Sequence, residues 1–285
     1  MLSKLNKIAR KRSAFIRESE TGLMAKSAIM QDKLESYVIG KLLPSLDVKN
    51  SSIVNSSKNI KLVNSSKNLK KFLKGVIDVA MFDYYDNQFS GIQSRTNGYY
   101  NEFNPSKSLI GQVNSKGQLL TDGVLDSLFD NNQILRSIQN SIRGAIASTQ
   151  KVSELKTLLE TQIQGREDKF GLVESYHYNN GYDKLQSYSR TLDEGFSKAL
   201  KLNYAIYAGG EIETTRDFCN ERNGNVYNRE TIEGWNELDW KGKIQDGNVL
   251  IDAGGYNCRH DYDWISYQLA KRVNPDIEKS TYDKK

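Results

Sequence analysis

The sequence predicts an α+β fold that is predominantly α-helical, with long N-terminal and central helices and a small C-terminal α+β module. Apolar residues recur at three- and four-residue spacing through most of the first 200 positions, the repeat that lines one face of a helix. The period shortens at Tyr204, Ile206 and Ala208. From Thr214 to His260 the chain then gathers both cysteines, two of its three tryptophans and one of its two histidines. Proline occurs only at positions 44, 105 and 275, so little interrupts the helical pattern.

Taken in order, Leu5, Ile8, Ala9, Phe15, Ile16, Leu23, Ile29, Leu34, Tyr37, Val38 and Leu42 predict helix up to Pro44, and residues 1–47 read as a basic helical arm. Residues 48–201 read as a helical body. It opens on a tandem nonapeptide, IVNSSKNIK at 53–61 and LVNSSKNLK at 62–70. Two copies are too few for a solenoid. The repeat reads as a duplication in a tolerant surface segment, with a pair of short strands or a hairpin presenting lysines in register as the alternative. Leu69, Phe72, Leu73, Val76, Ile77, Ala80, Met81, Tyr84 and Tyr85 give the sharpest helical stripe. Residues 90–122, rich in Gly, Asn and Ser, predict an irregular insert. Helical spacing resumes at Val124, Leu128, Leu135, Ile138, Ile142 and Ala145. It continues over Val152–Ile163, with Ser153 as the expected N-cap, and over 181–201. A module at 202–266 follows, with a strand through Tyr204–Ala208, a turn at Gly209-Gly210 and a short helix in RETIEGWNELDW capped by Asn228. Residues 267–285 are a charged tail expected to fray over its last dozen residues.

Composition, 38% hydrophobic and 26% charged over 285 residues, is that of a folded chain. No run approaches the roughly 18 apolar residues of a membrane span, and MLSKLNKIARKRSAFIRESE lacks the apolar block of a secretory signal. Synthesis in the cytosol is expected. The net charge of +5 hides a segregation. Residues 1–17 and 48–77 contain no acid and together carry +13, leaving −8 for the rest. Lys4, Lys7, Arg10, Lys11 and Arg12, with Lys58, Lys61, Lys67, Lys70 and Lys71, are therefore candidate contacts for nucleic-acid phosphate or an acidic protein partner, or solvated helix faces. No zinc-finger, RNA-recognition or helix-turn-helix signature points to base readout.

Cys219, Cys258 and His260 are the one grouping with metal-ligand character. Zinc requires four ligands, so Asp217 or Glu221 would have to complete the set. Packed reduced thiols, a Cys219–Cys258 disulfide and a zinc site are the three readings, and packed thiols without metal or cofactor come first. Cysteine nucleophilic catalysis lacks a facing His and an orienting Asn or Asp. Glu211-x-Glu213 copies the acidic pair of ADP-ribosyltransferases, which makes a virion-associated modifying enzyme or toxin the alternative function, but no Ser-Thr-Ser triplet precedes it, and alternation on a solvent-facing strand is by far the commoner origin of such a pair. Walker A, GxGxxG, HExxH and GxSxG motifs do not occur.

The C-terminal motif as a whole comprises Tyr204-x-x-Tyr207, Gly209-Gly210, Thr215-Arg216-x-Phe218-Cys219, Arg222-x-Gly224, Glu230, Trp235, Trp240-x-Gly242 and Gly254-Gly255-Tyr256-Asn257-Cys258-Arg259-His260. It resembles the C-terminal domain of the phage Mu F-like minor head proteins, also called head morphogenesis proteins. The resemblance covers about 60 residues. It implies a structural virion protein of a tailed bacteriophage, acting at or near the portal in head morphogenesis and in DNA packaging or ejection, with portal and other head proteins, other copies of itself and genomic double-stranded DNA as partners. Many relatives carry a second Cys close to the first and another after the final Arg; this chain has neither. A structural account of the motif assigns Arg216 and Arg259 to tying strand to loop, Trp235 and Trp240 to covering a small core, and Gly224, Gly254 and Gly255 to tight turns.

Overall fold

Helix α1, Leu2–Tyr37, realises the N-terminal stripe. Its buried positions Leu5, Ala9, Arg12, Ile16, Ser19, Leu23, Ser27, Met30 and Leu34 follow a three- and four-residue spacing without a gap, and Gln31 is buried beside them. The computed structural model describes residues 1–128 and 132–284. A π-helical turn at Val38–Leu42 and a 3-10 turn at Leu43–Ser45, which takes Pro44 in its first turn, end this helix. Strands β1, Val48–Lys49, and β2, Ser52–Ile53, form a tight hairpin whose two turn residues, Asn50 and Ser51, both have positive φ.

From Ser57 on, the nonapeptide repeat folds as helix: α2 spans Ser57–Ser65 and α3 spans Lys67–Phe72. The hairpin alternative does not hold, because the two copies fall at different structural positions. In the first, Ser56 caps α2 by accepting from Asn59 N–H. Buried Asn59 then closes the loop, accepting from Asp47 N–H and donating to the carbonyls of Asp47 and Val54. In the second copy the chain breaks at Ser66, in the left-handed region at φ 38°, and Asn68 is exposed.

A second π-helical turn, Leu73–Asp78, leads into α4, Val79–Tyr100, and α5 spans Lys107–Leu128. Residues 90–122 are therefore helical except at 104–106, with a 3-10 turn at Asn101–Phe103, which corrects the irregular insert. Two of the four glycines there, Gly91 and Gly117, serve close packing, while Gly98 and Gly111 face open space. A Cβ on Gly91 would lie 2.4 Å from the Phe15 ring, and one on Gly117 would lie 2.7 Å from Leu192 Cδ2. The true break is Asn104 at φ 51° followed by Pro105, after which Ser106 Oγ accepts from Leu109 N–H at the start of α5.

Helices α6, Asn132–Ala147, and α7, Val152–Gln164, follow; α7 begins one residue before the expected cap Ser153, with Lys151 at the cap position. Strands β3, Gly165–Arg166, and β4, Lys169–Phe170, pair as a hairpin. Helix α8 runs Leu172–Ala199. The C-terminal module contains β5, Tyr204–Gly209; α9, Asp217–Asn220; β6, Val226–Asn228; α10, Arg229–Gly234; α11, Val249–Asp252; β7, His260–Ile265; and α12, Tyr267–Val273. Asn228 caps α10 by accepting from Thr231 N–H, as its sequence predicts. The fold is thus predominantly α-helical α+β, with a three-stranded antiparallel sheet near its C-terminal end. Among the described residues no helix is long and apolar enough to cross a membrane.

Two compact units divide the chain, each discontinuous in sequence. One comprises Met1–Ser19, Asn87–Val124 and the chain from Tyr182 on; the other comprises Glu20–Asp86 and Leu125–Gly181. The first holds the sheet. The second holds the hairpin pairs and the duplicated helices, and its core includes a buried Tyr85–His177 hydrogen bond of 3.0 Å. The charged tail is pinned rather than frayed. Glu230 accepts from Ser280 Oγ at 2.8 Å and from Thr281 N–H, while Asp283 accepts from Asn203 Nδ2 and Tyr204 Oη at 2.8 and 2.6 Å.

Candidate functional site

In the sheet, β5 lies between β6 and β7, with Ile206 opposite Val226 and Asp263, and Gly209 opposite His260. Tyr207 pairs with Tyr262, so the two-residue period of β7 puts His260 and Tyr262 on the same sheet face as Tyr207. The Tyr207 and His260 rings stack with centroids 5.1 Å apart and planes 7° from parallel.

That face receives the two cysteines. Cys219, on α9, and Cys258, two residues before β7, place their sulfurs 3.9 Å apart, both thiols free and buried. Cys258 Sγ lies 3.9 Å from His260 Nδ1 and accepts from Gly254 N–H at 3.2 Å. Tyr207 Oη lies 3.3 Å from Cys219 Sγ and 3.7 Å from Cys258 Sγ. His260 Nε2 is buried with no partner. The Cys258 thiol is held well below its ordinary pKa, first by the hydrogen bond from Cys219, with His260 and Arg190 assisting; the same bond pushes Cys219 up. Burial raises Tyr207 well above the usual phenol range.

Backbone and aromatics fix this arrangement. Arg190 of α8, buried, donates to the carbonyls of Cys258, His260 and Ile251 at 2.7–3.0 Å. Arg216 Nη2 donates to Tyr256 O at 2.6 Å, while the Arg259 guanidinium lies 5.1 Å from the Tyr182 ring centroid. Trp240 stacks on Phe218 at 3.9 Å and donates to Gly254 O, and Trp235 meets Tyr207 and Phe218 edge-on. Arg222 lies over Phe218 and Trp235. Gly224 and Gly255 sit at φ 80° and 94°, where L-residues are strained, and a Cβ on Gly255 would meet Gly242 O at 1.9 Å. The motif residues Arg216, Phe218, Cys219, Trp235, Trp240, Gly255 and Cys258 thus converge on one buried knot together with His260. Sequence reasoning missed Arg190, and it gave Tyr207 no role.

Of the candidate surface cations, Arg12 is corrected outright. It is fully buried, donating to Asp193 at 2.6 Å and Asp263 at 3.2 Å. Tyr100 Oη also donates to Asp193, and Ser13 reaches Asp261 at 3.5 Å. Arg12 continues the Leu5–Ala9–Ile16 stripe, a position the spacing alone betrays. Burial raises Asp193 to about 7 and Asp263 to about 6 despite the opposing pull of Arg12. Lys4 pairs with Glu102 and Lys58 with Asp47, whereas Lys7, Arg10, Lys11, Lys61, Lys67, Lys70 and Lys71 are exposed. Glu211 and Glu213 are exposed beyond the end of β5 rather than on a strand, and Glu211 accepts from Asn223 Nδ2.

No family model matches the chain, and neither does any curated protein or solved structure.

Proposed function

We propose that this chain is a structural minor head protein of a tailed bacteriophage, made in the host cytoplasm and carried in the virion head at or near the portal vertex, with a role in head morphogenesis and in DNA packaging or ejection. The observation that carries the reading is the convergence of the Mu F-like motif, spread over 204–260, on a single buried knot. Its polar groups face one another rather than a cleft, which suits a fold-holding module better than an active site. Portal and other head proteins, and further copies of the chain, are the protein partners. The exposed lysines of α2 and α3, Lys61, Lys67, Lys70 and Lys71, supply a phosphate-binding face for double-stranded DNA or an acidic protein surface.

Two measurements test this. Purified virions should contain the chain in few copies, and labelling should place it at one vertex; normal heads formed without it, and its absence from virions, would remove the reading. Duplex DNA binding should weaken steeply with salt, with a log–log slope of about −3 to −4 if four phosphates are neutralised. Reversing Lys70 and Lys71 to Glu should roughly halve that slope. Salt-independent binding, or none at low salt, removes DNA from the partners.

A further inference from the structure

We infer that Cys219, Cys258, His260 and Tyr207 form a tetrahedral site for one zinc-class divalent ion. The sulfurs and the imidazole nitrogen lie within 4.8 Å of one another, and all three residues are buried. A tetrahedron with bonds of about 2.3 Å to sulfur and about 2.0–2.1 Å to nitrogen has edges of about 3.8 Å between sulfurs and about 3.6 Å from sulfur to nitrogen. The observed separations are 3.9 Å for Cys219–Cys258 and 3.9 Å for Cys258–His260 Nδ1. Asp217 and Glu221 are not in this group, and Tyr207 Oη, 3.3 and 3.7 Å from the two sulfurs, is assigned to the fourth vertex on those two edges.

Three further observations support a ligand set over passive packing. Among the described residues, the only hydrogen-bond contact of the buried His260 Nδ1 is a sulfur at 3.9 Å, a poor partner for a buried ring nitrogen and one that an ion held between the donors would replace. Gly254 backs the cluster so closely that a Cβ would lie 2.2 Å from Cys219 Sγ, 3.1 Å from Cys258 Sγ and 3.4 Å from Tyr207 Oη, so glycine keeps the space between the donors clear. Arg190 clamps the carbonyls on either side of Arg259, fixing both ligands of the Cys258-x-His260 pair from outside the first coordination sphere. The charge closes as well. Any proton still on either sulfur passes to solvent on binding, the two thiolates neutralise the divalent ion, and His260 and Tyr207 bind as neutral donors.

The full-length protein, expressed with added zinc, should retain one equivalent through desalting. Chelation should free two thiols for titration and lower Tm. Co2+ added to the stripped protein should give tetrahedral ligand-field bands with a thiolate charge-transfer band. Cys258→Ser should abolish them. Because that variant can also fail to fold, Tyr207→Phe keeps both sulfurs and the ring, and should retain stoichiometry while shifting the Co2+ bands and weakening affinity at least tenfold. A folded protein that takes up neither Zn2+ nor Co2+, or one whose mass shows a Cys219–Cys258 disulfide, would overturn the site; unchanged Co2+ bands in Tyr207→Phe would overturn the fourth ligand. The site does not depend on the proposed role in the head, since metal-free protein found in virions would sink the former and leave the latter.

Discussion

Replacing Arg12 with Met should destabilise the sheet-bearing unit strongly at pH 8 and weakly at pH 5. Arg12 is the guanidinium between Asp193 and Asp263 in a site that solvent does not reach. Removing one partner of a buried ion pair costs about 3–5 kcal/mol because the remaining charge is uncompensated. The pH dependence follows from the two carboxyls. Asp193 sits at about 7 and Asp263 at about 6, both above the unfolded value of 3.8. A carboxyl raised in this way is a liability above its folded pKa, and the liability disappears as pH falls below the unfolded value. Each unit corresponds to about 1.4 kcal/mol, so Asp193 alone sets a scale on the order of 4 kcal/mol. Wild-type stability should therefore rise as pH falls from 7 towards 4. In Arg12→Met both carboxyls are neutral at pH 5, leaving a loss of about 1–2 kcal/mol from packing. All three tryptophans lie in this unit, so urea denaturation followed by tryptophan fluorescence reads it directly. A loss below about 1 kcal/mol at pH 8, or equal losses at the two pH values, would refute the reasoning.

The α4 glycines should separate in thermal denaturation. Gly98→Ala, which meets nothing within 4 Å, should stabilise by about 0.5–1 kcal/mol, while Gly91→Ala should lose about 1–3 kcal/mol against Phe15. The duplicated asparagines should differ although each follows Ser-Ser-Lys: Asn59→Ala breaks three loop hydrogen bonds and should cost about 2–3 kcal/mol, whereas Asn68→Ala should stay within about 0.5 kcal/mol.

The helices were legible because burial follows spacing, and the stripe through α1 is unbroken if Arg12 is admitted to it. Charge hid it. A run of Lys and Arg reads as surface until one notices that position 12 lies three residues after Ala9 and four before Ile16. Residues 90–122 misled for a related reason, since glycine marks a turn in a local reading but marks a helix crossing when Phe15 or Leu192 lies opposite. Those partners are distant in sequence, and no window contains both. The knot was half legible. Cys219, Cys258 and His260 stand out by rarity, but Arg190 comes from α8 and Tyr207 from β5, and only sheet register and helix packing bring them to the sulfurs. The tail looked free because its charges hide Ile277 and Ser280, both buried.

The pinned tail also sets the order of events during synthesis. The sheet-bearing unit draws on residues from the first turns of α1, and it is locked by Ser280 and Asp283 at the far end. Residues as far as Asp283 must be made before that unit can close, while the other unit has all its residues by Gly181. Arg12 waits for Asp263, 251 residues later, and Cys219 for Cys258, 39 residues later. Truncation before Ser280 would therefore leave Tyr204, Asn203 and Glu230 without the partners that close the knot-bearing unit.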